Sequence, residues 1–217
     1  MSQNDFSPEE FPTDRFSRVE EKKHFHSKYK LINLLGNGAF GRVFAAIPAP
    51  SSTVLTSNGD HTGYAVKVYF IKQRLRRVVY REIRSMGVLR HPNVVNFVEA
   101  VEDPDNIFIV MEKLTGGELF RFIARGAVYT ENDARDLCRS ASSLNNFSYR
   151  MLSLNFQFYR TLLGAVAYCH QQNVVHRDIK PENIVMTSHM DRTTHFKLID
   201  FGLSAMTVEP TLRGQVY

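Results

Sequence analysis

The stretch VVHRDIKPENIV, residues 174–185, places five ionisable side chains within seven positions and has apolar residues on both sides. The next apolar runs, NIVM and HFKLI, are joined by TSHMDRTT and predict a β-hairpin. Because a hairpin of ordinary length returns its second strand to the start of the first, we expect Asp200 to lie close to Asn183. The charged residues are therefore predicted at one end of a hairpin that apolar residues anchor.

Four side chains in this region suit chemistry on a phosphate. Asp200 and Asn183 offer oxygen ligands of the kind that a hard cation such as Mg²⁺ prefers. Lys180 offers a positive charge for a phosphate, and Asp178 is then available as a base. The alternative is a charged surface loop that precedes a hairpin, and the stretch by itself leaves both interpretations open.

A glycine cluster lies upstream in YKLINLLGNGAFGRVFAAI, residues 29–47, between two strand-like runs. Gly36, Gly38 and Gly41 predict a hairpin turn whose backbone N–H groups can approach phosphate oxygens without an intervening side chain. The alternative is a tight turn that needs glycine for its geometry alone. A dinucleotide-binding turn is excluded because a strand, and not a helix, follows the glycines.

Lys67 occupies the middle of the short apolar strand YAVKVYF, residues 64–70. Alternation places it on the same face as Ala65 and Tyr69, where a lysine is costly unless it is paired. The alternative is an edge strand with Lys67 in water.

A partner for Lys67 is available in the helix predicted from about Lys72 to Leu89. Glu82 is the only acid between residues 71 and 98, and its spacing puts it beside the apolar stripe of that helix. A pair with Lys67 and simple charge balance with Arg81 or Arg84 both remain open.

Composition narrows the class of protein. At 217 residues with 43% hydrophobic residues, the chain can build one domain or two small lobes. The net charge is +5, but the basic residues concentrate between residues 72 and 90 and form no ladder of alternating basic and aromatic residues, so nucleic acid is not an expected partner. The two cysteines, Cys138 and Cys169, predict reduced thiols in a cytoplasmic protein. No signal-peptide core or membrane-spanning run is present, and we expect no membrane contact.

Along the chain, residues 1–28 are polar and mixed in charge, which predicts a disordered leader. Residues 48–63 are rich in Pro, Ser, Thr and Gly and predict a loop. Two strands with a turn at DPDN are predicted over residues 94–103 and 106–114. After TGGELF the spacing is helical to about His170.

Taken together, the motifs resemble those of the eukaryotic protein kinase domain. GNGAFGRV is similar to its glycine-rich loop, YAVK to its lysine strand, HRDIKPEN to its catalytic loop and DFG to its metal motif. The resemblance implies an α+β, bilobal fold. The N-lobe, residues 29–114, would be an antiparallel sheet with one helix and a hinge near residues 112–114. Residues 115–217 would form an incomplete, mainly helical C-lobe.

The same resemblance implies a role for each matching residue. Lys67, paired to Glu82, would hold the α- and β-phosphates of ATP, while Asp200 and Asn183 would bind Mg²⁺. Asp178 would accept the proton of the substrate hydroxyl, and Lys180 would steady the transferring phosphoryl group. The nucleotide contacts would be Gly36, Asn37, Gly38, Ala39, Phe40, Gly41, Val43, Ala65, Lys67, Met111, Glu112, Leu114, Glu118, Glu182 and Val185. Among these, Met111 would control access behind the adenine, and Glu118 would lie on the ribose side.

The resemblance also bears on substrate and regulation. HRDIKPEN resembles serine/threonine kinases, and GGELF, RHPNVV and LIDFGLS look most like the calcium/calmodulin-dependent group, so a protein with a Ser or Thr acceptor is expected. Glu118 and Glu182 would suit a basic peptide, or would be plain nucleotide or surface contacts. Arg177 resembles the pattern for regulation by activation-loop phosphorylation, with Thr207 or Thr211 as candidates.

Two features depart from the family pattern. Residues 140–160, SASSLNNFSYRMLSLNFQFYR, read as an extra segment that bulges from or splits a helix. The segment is either translated intron or a tolerated surface insertion. If all mature transcripts retain the segment, the intron origin is excluded. The chain also stops soon after DFG, so about two thirds of a kinase domain is expected. Two function classes follow: an ATP-dependent serine/threonine kinase, or a truncated fragment that only binds nucleotide or protein.

Overall fold

A computed structural model of the protein describes residues 15–18, 24–37, 41–50, 63–70, 73–119, 146–187 and 195–207. Up to residue 112 these residues form one sheet with two helices, and from residue 146 they form a long helix followed by short strands. Among the described helices, none has the length and apolar composition needed to cross a membrane.

The sheet has six strands. They are β1 (Phe16–Arg18), β2 (Tyr29–Asn37), β3 (Arg42–Pro48), β4 (Tyr64–Phe70), β5 (Phe97–Glu102) and β6 (Asn106–Glu112). Their spatial order is β1-β5-β6-β4-β3-β2, and every neighbouring pair is antiparallel except β1 with β5, which is parallel. The predicted hairpin of residues 29–47 is confirmed, because β2 pairs with β3 as far as Asn37 opposite Arg42.

The predicted disordered leader is wrong for residues 15–18 and 24–28. The first group contains β1, and the second is helix α1 (His24–Lys28). Phe16 meets the ring of Tyr80 edge-on, and Phe25 stacks on Phe108 with 3.9 Å between ring centroids. The polar average composition of residues 1–28 concealed two aromatic side chains that pack against other aromatic rings in the fold. The rest of residues 1–28 lies outside the described residues.

Helix α2 (Gln73–Val88) packs one face of the sheet, and it confirms the helix predicted for residues 72–89. Val79, Ile83 and Met86 recur at helical spacing and are buried against the sheet, whereas Arg77 and Arg81 on the outer side are exposed. The strand alternation of β4 places its odd-numbered residues on this side of the sheet. The side chain of residue 67 therefore points toward α2.

The second part of the chain is built from one long helix and short strands. The elements are α3 (Asn146–Gln171), β7 (Val174–Val175), a 3₁₀ turn (Pro181–Asn183), β8 (Ile184–Met186), β9 (Phe196–Leu198) and β10 (Ala205–Met206). The predicted hairpin is confirmed, since β8 pairs with β9 antiparallel and Ile184 lies opposite Leu198. β7 pairs antiparallel with β10.

Helix α3 is continuous over 26 residues. Whether residues 140–160 bulge from or split a helix stays a prediction, because the residues up to 145 that precede α3 lie outside the described residues. Residues 146–160 form the first part of α3 and run into residues 161–171 without a break. These residues contain neither proline nor glycine, so nothing in them interrupts the helical hydrogen bonds. Residues 140–145 lie outside the described residues, and the origin of the segment stays a prediction.

Backbone hydrogen bonds attach the β8–β9 hairpin to the first part of the chain. The N–H of Val95 donates to the carbonyl of Leu198 at 3.0 Å, and the N–H of Leu198 donates to the carbonyl of Asn93 at 2.9 Å. On the other strand, the N–H of Met186 donates to the carbonyl of Gly117 at 2.9 Å. The α+β fold class is confirmed, and the hairpin end that carries Asn183 and Asp200 faces the sheet.

Candidate functional site

A cavity of about 410 Å³ lies between the sheet and the β8–β9 hairpin. Its volume is in the range of a small-molecule site. The structure brings most of the predicted site residues to its walls. They are Gly36, Asn37, Val43, Ala65, Lys67, Glu82, Met111, Glu112, Leu114, Glu118, Glu182, Asn183, Val185 and Asp200.

The remaining predicted residues are placed differently. Gly38, Ala39 and Phe40 lie outside the described residues, and Gly41, Asp178 and Lys180 do not line the cavity. A Cβ at Gly41 would come within 2.6 Å of the backbone oxygen of Val68. This position therefore needs glycine for the close approach of the turn to β4, whatever it contributes to a ligand.

One end of the cavity is apolar. Ala65 of β4 and Met111 of β6 are paired across neighbouring strands, and Val43 of β3 lies opposite Lys67. Val185 of β8 also lines the cavity. Opposed aliphatic walls of this kind accommodate a flat aromatic ring.

The side chain of Glu112 is engaged elsewhere. Its carboxylate accepts hydrogen bonds from the N–H of Asn96 and the ammonium of Lys197, both at 2.6 Å. A contribution of Glu112 to a ligand would therefore come from its backbone, as the predicted hinge contact requires.

The polar end of the cavity is organised around Lys67. Its Nζ lies 2.8 Å from Oε1 of Glu82 and 2.7 Å from Oδ1 of Asp200. The lysine and glutamate side chains are 7% and 1% exposed. Burial opposes the charge of Lys67, but the neighbouring negative groups, Glu82 first, raise its pKa above the ordinary value, so the ammonium stays charged. The edge-strand alternative for Lys67 is wrong, because β4 lies between β3 and β6.

Asp200 is held in an unusual backbone conformation, with φ of 59°. Its Oδ1 also accepts the N–H of Gly202 at 3.3 Å. Burial would raise the pKa of Asp200, but the charge of Lys67 outweighs it and lowers the pKa, so Asp200 is ionised. A Cβ at Gly202 would lie 3.1 Å from Oδ1 of Asp200 and 3.4 Å from Nζ of Lys67. Gly202 was missed as a site residue, although the DFG motif contains it.

Asp178 lies beside the cavity and is tied to it through Asn183. The amide Nδ2 of Asn183 donates to the backbone oxygen of Asp178 at 2.8 Å and to its Oδ2 at 2.9 Å. Lys180 donates to the same Oδ2 at 2.7 Å. The hydrogen bond from Lys180 is the main reason that the pKa of Asp178 lies below its ordinary value. The result is an ionised carboxylate near the surface.

His176 is a structural residue of the site that sequence reasoning missed. It is 2% exposed, its Nε2 lies 2.9 Å from the carbonyl of Ile199, and its Nδ1 accepts the N–H of Asp178 at 3.2 Å. This pattern fits a neutral imidazole with the proton on Nε2. Burial lowers the pKa of His176, which favours the neutral form. His176 thus joins the Asp178 loop to the backbone that leads to Asp200.

Arg177 joins the same loop to the segment after DFG. Its φ is 65°, its Nε donates to the carbonyl of Leu203 at 2.7 Å, and a terminal nitrogen donates to that of Ser204 at 3.3 Å. Thr207 is exposed at the end of β10, and Thr211 lies outside the described residues. Regulation by phosphorylation at either threonine stays a prediction.

Five lining residues were not predicted: Leu35, Met86, Val95, Gly117 and Ile199. Four of them are aliphatic or methionine side chains, which in sequence look the same whether they face a core or a cavity. Only the fold distinguishes these cases.

The donor set fits a nucleotide accompanied by a magnesium ion. The residues that the structure describes contain no group of three or more His, Cys, Asp or Glu arranged to hold a metal ion. Asn183 and Asp200 would offer two side-chain oxygens to such an ion, and Mg²⁺ usually takes its remaining ligands from phosphates and water. Lys67 provides the charge for phosphate oxygens at the same end of the cavity.

Comparison with known proteins agrees with this arrangement. A family model described as "Protein kinase domain" matches residues 29–216. The chain is 39% identical over 190 residues to CDPK-related kinase 5 of Arabidopsis thaliana, covering 84% of this chain and 27% of that protein. It is 36% identical over 190 residues to calcium/calmodulin-dependent serine/threonine-protein kinase 1 of Oryza sativa subsp. japonica, with the same coverage of 84% and 27%. It is 33% identical over 182 residues to CBL-interacting protein kinase 33 of Oryza sativa subsp. japonica, covering 83% of this chain and 33% of that protein. The chain thus spans a third or less of the length of these relatives.

Proposed function

The chain belongs to the protein kinase family, and on that premise we propose that it transfers the γ-phosphate of ATP to Ser or Thr hydroxyls of proteins. One observation carries the proposal. Lys67, Glu82, Asn183 and Asp200 converge on a single cavity, and Asp178 is hydrogen-bonded to Asn183 at its margin.

The cavity supports an orientation for ATP. Its apolar end would take the adenine ring between Ala65 and Val185, which leaves the phosphates directed toward Lys67. The ammonium of Lys67 would bind phosphate oxygens while Glu82 keeps it extended. Asp200 and Asn183 would hold Mg²⁺, whose charge neutralises the phosphates. Alignment and charge neutralisation supply most of the catalysis in phosphoryl transfer.

Asp178 and Lys180 act on the acceptor side. The ionised carboxylate of Asp178 would orient the acceptor hydroxyl and accept its proton. Lys180, 47% exposed, is free to move from Asp178 to the transferring phosphoryl group. The choice of Ser or Thr as acceptor rests on Lys180 in HRDIKPEN and on the serine/threonine kinase named among the relatives.

The predicted preference for a basic peptide has weaker support. Both of the acids on which it rests, Glu118 and Glu182, line the nucleotide cavity. That position favours the alternative of nucleotide contacts. The basic preference and the cytoplasmic location stay predictions.

The test is Mg²⁺-dependent phosphate transfer by the 217-residue chain. Purified protein is incubated with γ-labelled ATP and an arrayed Ser/Thr peptide library, and ATP binding is measured separately by calorimetry. We expect labelling by the wild type and loss of labelling in Asp178→Asn with ATP affinity retained. ATP binding without labelling would overturn catalysis and favour the nucleotide-binding fragment. Absence of ATP binding would overturn both.

A further inference from the structure

Tyr69 is the residue at which three parts of the site meet. It is 1% exposed, its hydroxyl donates to Oε2 of Glu82, and Nζ of Lys67 lies 5.3 Å from the centre of its ring. A Cβ at Gly41 would come within 3.2 Å of the same ring. We propose that Tyr69 is a positioning residue for phosphate transfer, because it fixes the Glu82 carboxylate that holds Lys67. This inference rests on the proposed function.

The argument begins with the two oxygens of Glu82. Oε1 accepts the hydrogen bond from Lys67 at 2.8 Å, and Oε2 accepts the one from Tyr69. The glutamate is 1% exposed, so water cannot replace either partner at low cost. With the hydroxyl removed, Oε2 is left without that donor and the carboxylate can rotate away from Lys67.

The protonation state of Tyr69 supports this role. Burial, and then the negative charge of Glu82, raise the pKa of the phenol above its ordinary value. The hydroxyl therefore keeps its proton and remains a donor at neutral pH.

The placement of Tyr69 makes the contact precise. It lies two residues after Lys67 on β4, so both side chains leave the same face of an interior strand. Residue 69 lies opposite Ile107 on β6, and the preceding residue, Val68, lies opposite Arg42 on β3. Tyr69 can therefore hold α2 through Glu82 without relying on a mobile loop.

The chain contains a matched control for this interaction. Tyr80, on another side of α2, donates its hydroxyl to the buried carboxylate of Glu102 on β5. It is also a buried tyrosine–glutamate contact between α2 and the sheet. Neither Tyr80 nor Glu102 lines the nucleotide cavity. Removal of its hydroxyl should affect folding without affecting the position of Lys67.

The experiment compares Tyr69→Phe with Tyr80→Phe in the full chain. ATP affinity is measured by calorimetry, the KM for ATP and kcat by phosphate transfer, and stability by urea unfolding. A hydrogen bond to a charged group contributes more free energy than one between neutral groups. We therefore expect ATP binding to weaken about ten-fold in Tyr69→Phe, with a matching rise in the KM for ATP. Tyr80→Phe should lose comparable stability but keep ATP affinity. Equal losses of ATP affinity in the two variants, or no loss in Tyr69→Phe, would overturn the proposal.

A double-mutant cycle shows whether Tyr69 acts through Glu82. If it does, adding Tyr69→Phe to Glu82→Gln should weaken ATP binding less than two-fold further. Additive losses would show that Tyr69 acts by another route and would overturn the proposal. Because the cycle is measured by ATP binding, it remains decisive if the chain binds ATP but transfers no phosphate, a result that overturns only the proposed function. A wild-type chain that fails to bind ATP overturns both.

Discussion

Two lysine–carboxylate pairs serve the site at nearly equal distances but in opposite surroundings. Lys67 and Glu82 are 2.8 Å apart with side chains 7% and 1% exposed, whereas Lys180 and Asp178 are 2.7 Å apart with 47% and 23% exposed. The buried pair has a further acid and a tyrosine around it, and the exposed pair faces solvent.

The difference separates fixed parts of the site from exchangeable ones. A buried pair has lost its hydration, so breaking it leaves an uncompensated charge and its geometry is fixed. A pair in solvent costs little to break, because water replaces each partner. The buried pair is therefore suited to hold a nucleotide in one place, and the exposed pair is suited to release Asp178 and Lys180 to a substrate.

The largest expected effect comes from Lys67→Met. It leaves Glu82 buried without its cation, so we expect the free energy of unfolding to fall by about 3–5 kcal/mol. Urea unfolding measures the change. Lys180→Met is the counterpart in the exposed pair and should leave the free energy of unfolding unaltered within error. Equal losses of unfolding free energy in Lys67→Met and Lys180→Met would contradict the distinction between the buried and the exposed pair.

A second substitution sharpens the interpretation of that loss. If unpaired charge is the cause, Lys67→Met combined with Glu82→Leu should recover most of the stability, because apolar residues of similar volume can replace a buried ion pair. The double variant should still fail to bind ATP. A double variant that is less stable than Lys67→Met would show that packing, and not charge, is responsible.

Gly202→Ala should weaken ATP binding about ten-fold, which corresponds to about 1.4 kcal/mol. The added methyl group would lie 3.1 Å from Oδ1 of Asp200, so that oxygen must shift and its contact with Lys67 is disturbed. Gly164→Ala on α3 is the control, since a Cβ there meets nothing within 4 Å. We expect the control to bind ATP normally and to gain about 0.5–1 kcal/mol of stability from better helix propensity.

The pH dependence of stability should report His176. Burial lowers the pKa of His176, so below its ordinary value of about 6.5 the unfolded chain binds a proton that the folded chain does not. Stability should therefore fall as the pH drops from about 6.5 toward the lower folded pKa. Asp178 and Asp200 favour the charged imidazole, and Lys180 opposes it.

The measurement for His176 is urea unfolding between about pH 5 and 8, the range in which imidazole titrates. His176→Asn should show a smaller decline toward acid than the wild type. A residual decline is expected, because burial lowers the pKa of His91 as well. Identical slopes in the two proteins would contradict the assignment to His176.

The smallest effect concerns the exposed pair. The hydrogen bond from Lys180 is the main cause of the low pKa of Asp178. Lys180→Met should therefore raise the pKa of Asp178 toward its ordinary value, and added salt should do the same in the wild type to a smaller extent. Carbon NMR titration of the carboxyl group measures both. If the pKa of Asp178 is the same in Lys180→Met as in the wild type, the hydrogen bond from Lys180 is not the main cause of its low value.

The pair of Lys67 and Glu82 could be predicted because the sequence offers few choices. A lysine inside an apolar strand needs a partner, and Glu82 is the only acid between residues 71 and 98. The approach of Asn183 to Asp200 followed from hairpin geometry in the same way. In both cases a costly or strongly constrained residue limited the possible arrangements to a few, and the structure selected among them.

Other features depended on tertiary packing. Tyr69 in an apolar strand looks like an ordinary core residue, and its hydroxyl finds Glu82 only at the distance and angle with which α2 crosses the sheet. Leu35 and Ile199 resemble core aliphatic residues in the same way. Composition averaged over residues 1–28 hid Phe16, whose burial depends on a strand far away in sequence.

The pairing of β1 with the distant strand β5 affects how the chain assembles and how soluble it is. Arg15 donates a hydrogen bond to the carbonyl of Phe97, 82 positions further along the chain, so a segment synthesised early must wait for β5 before it can pair. Until then the six-residue β5 forms the open edge of the sheet, and such edges invite pairing with other chains. Once docked, the three-residue β1 takes that place and offers a much shorter template. Residues that do not line the cavity thus shorten the strand edge that the folded sheet exposes on this side.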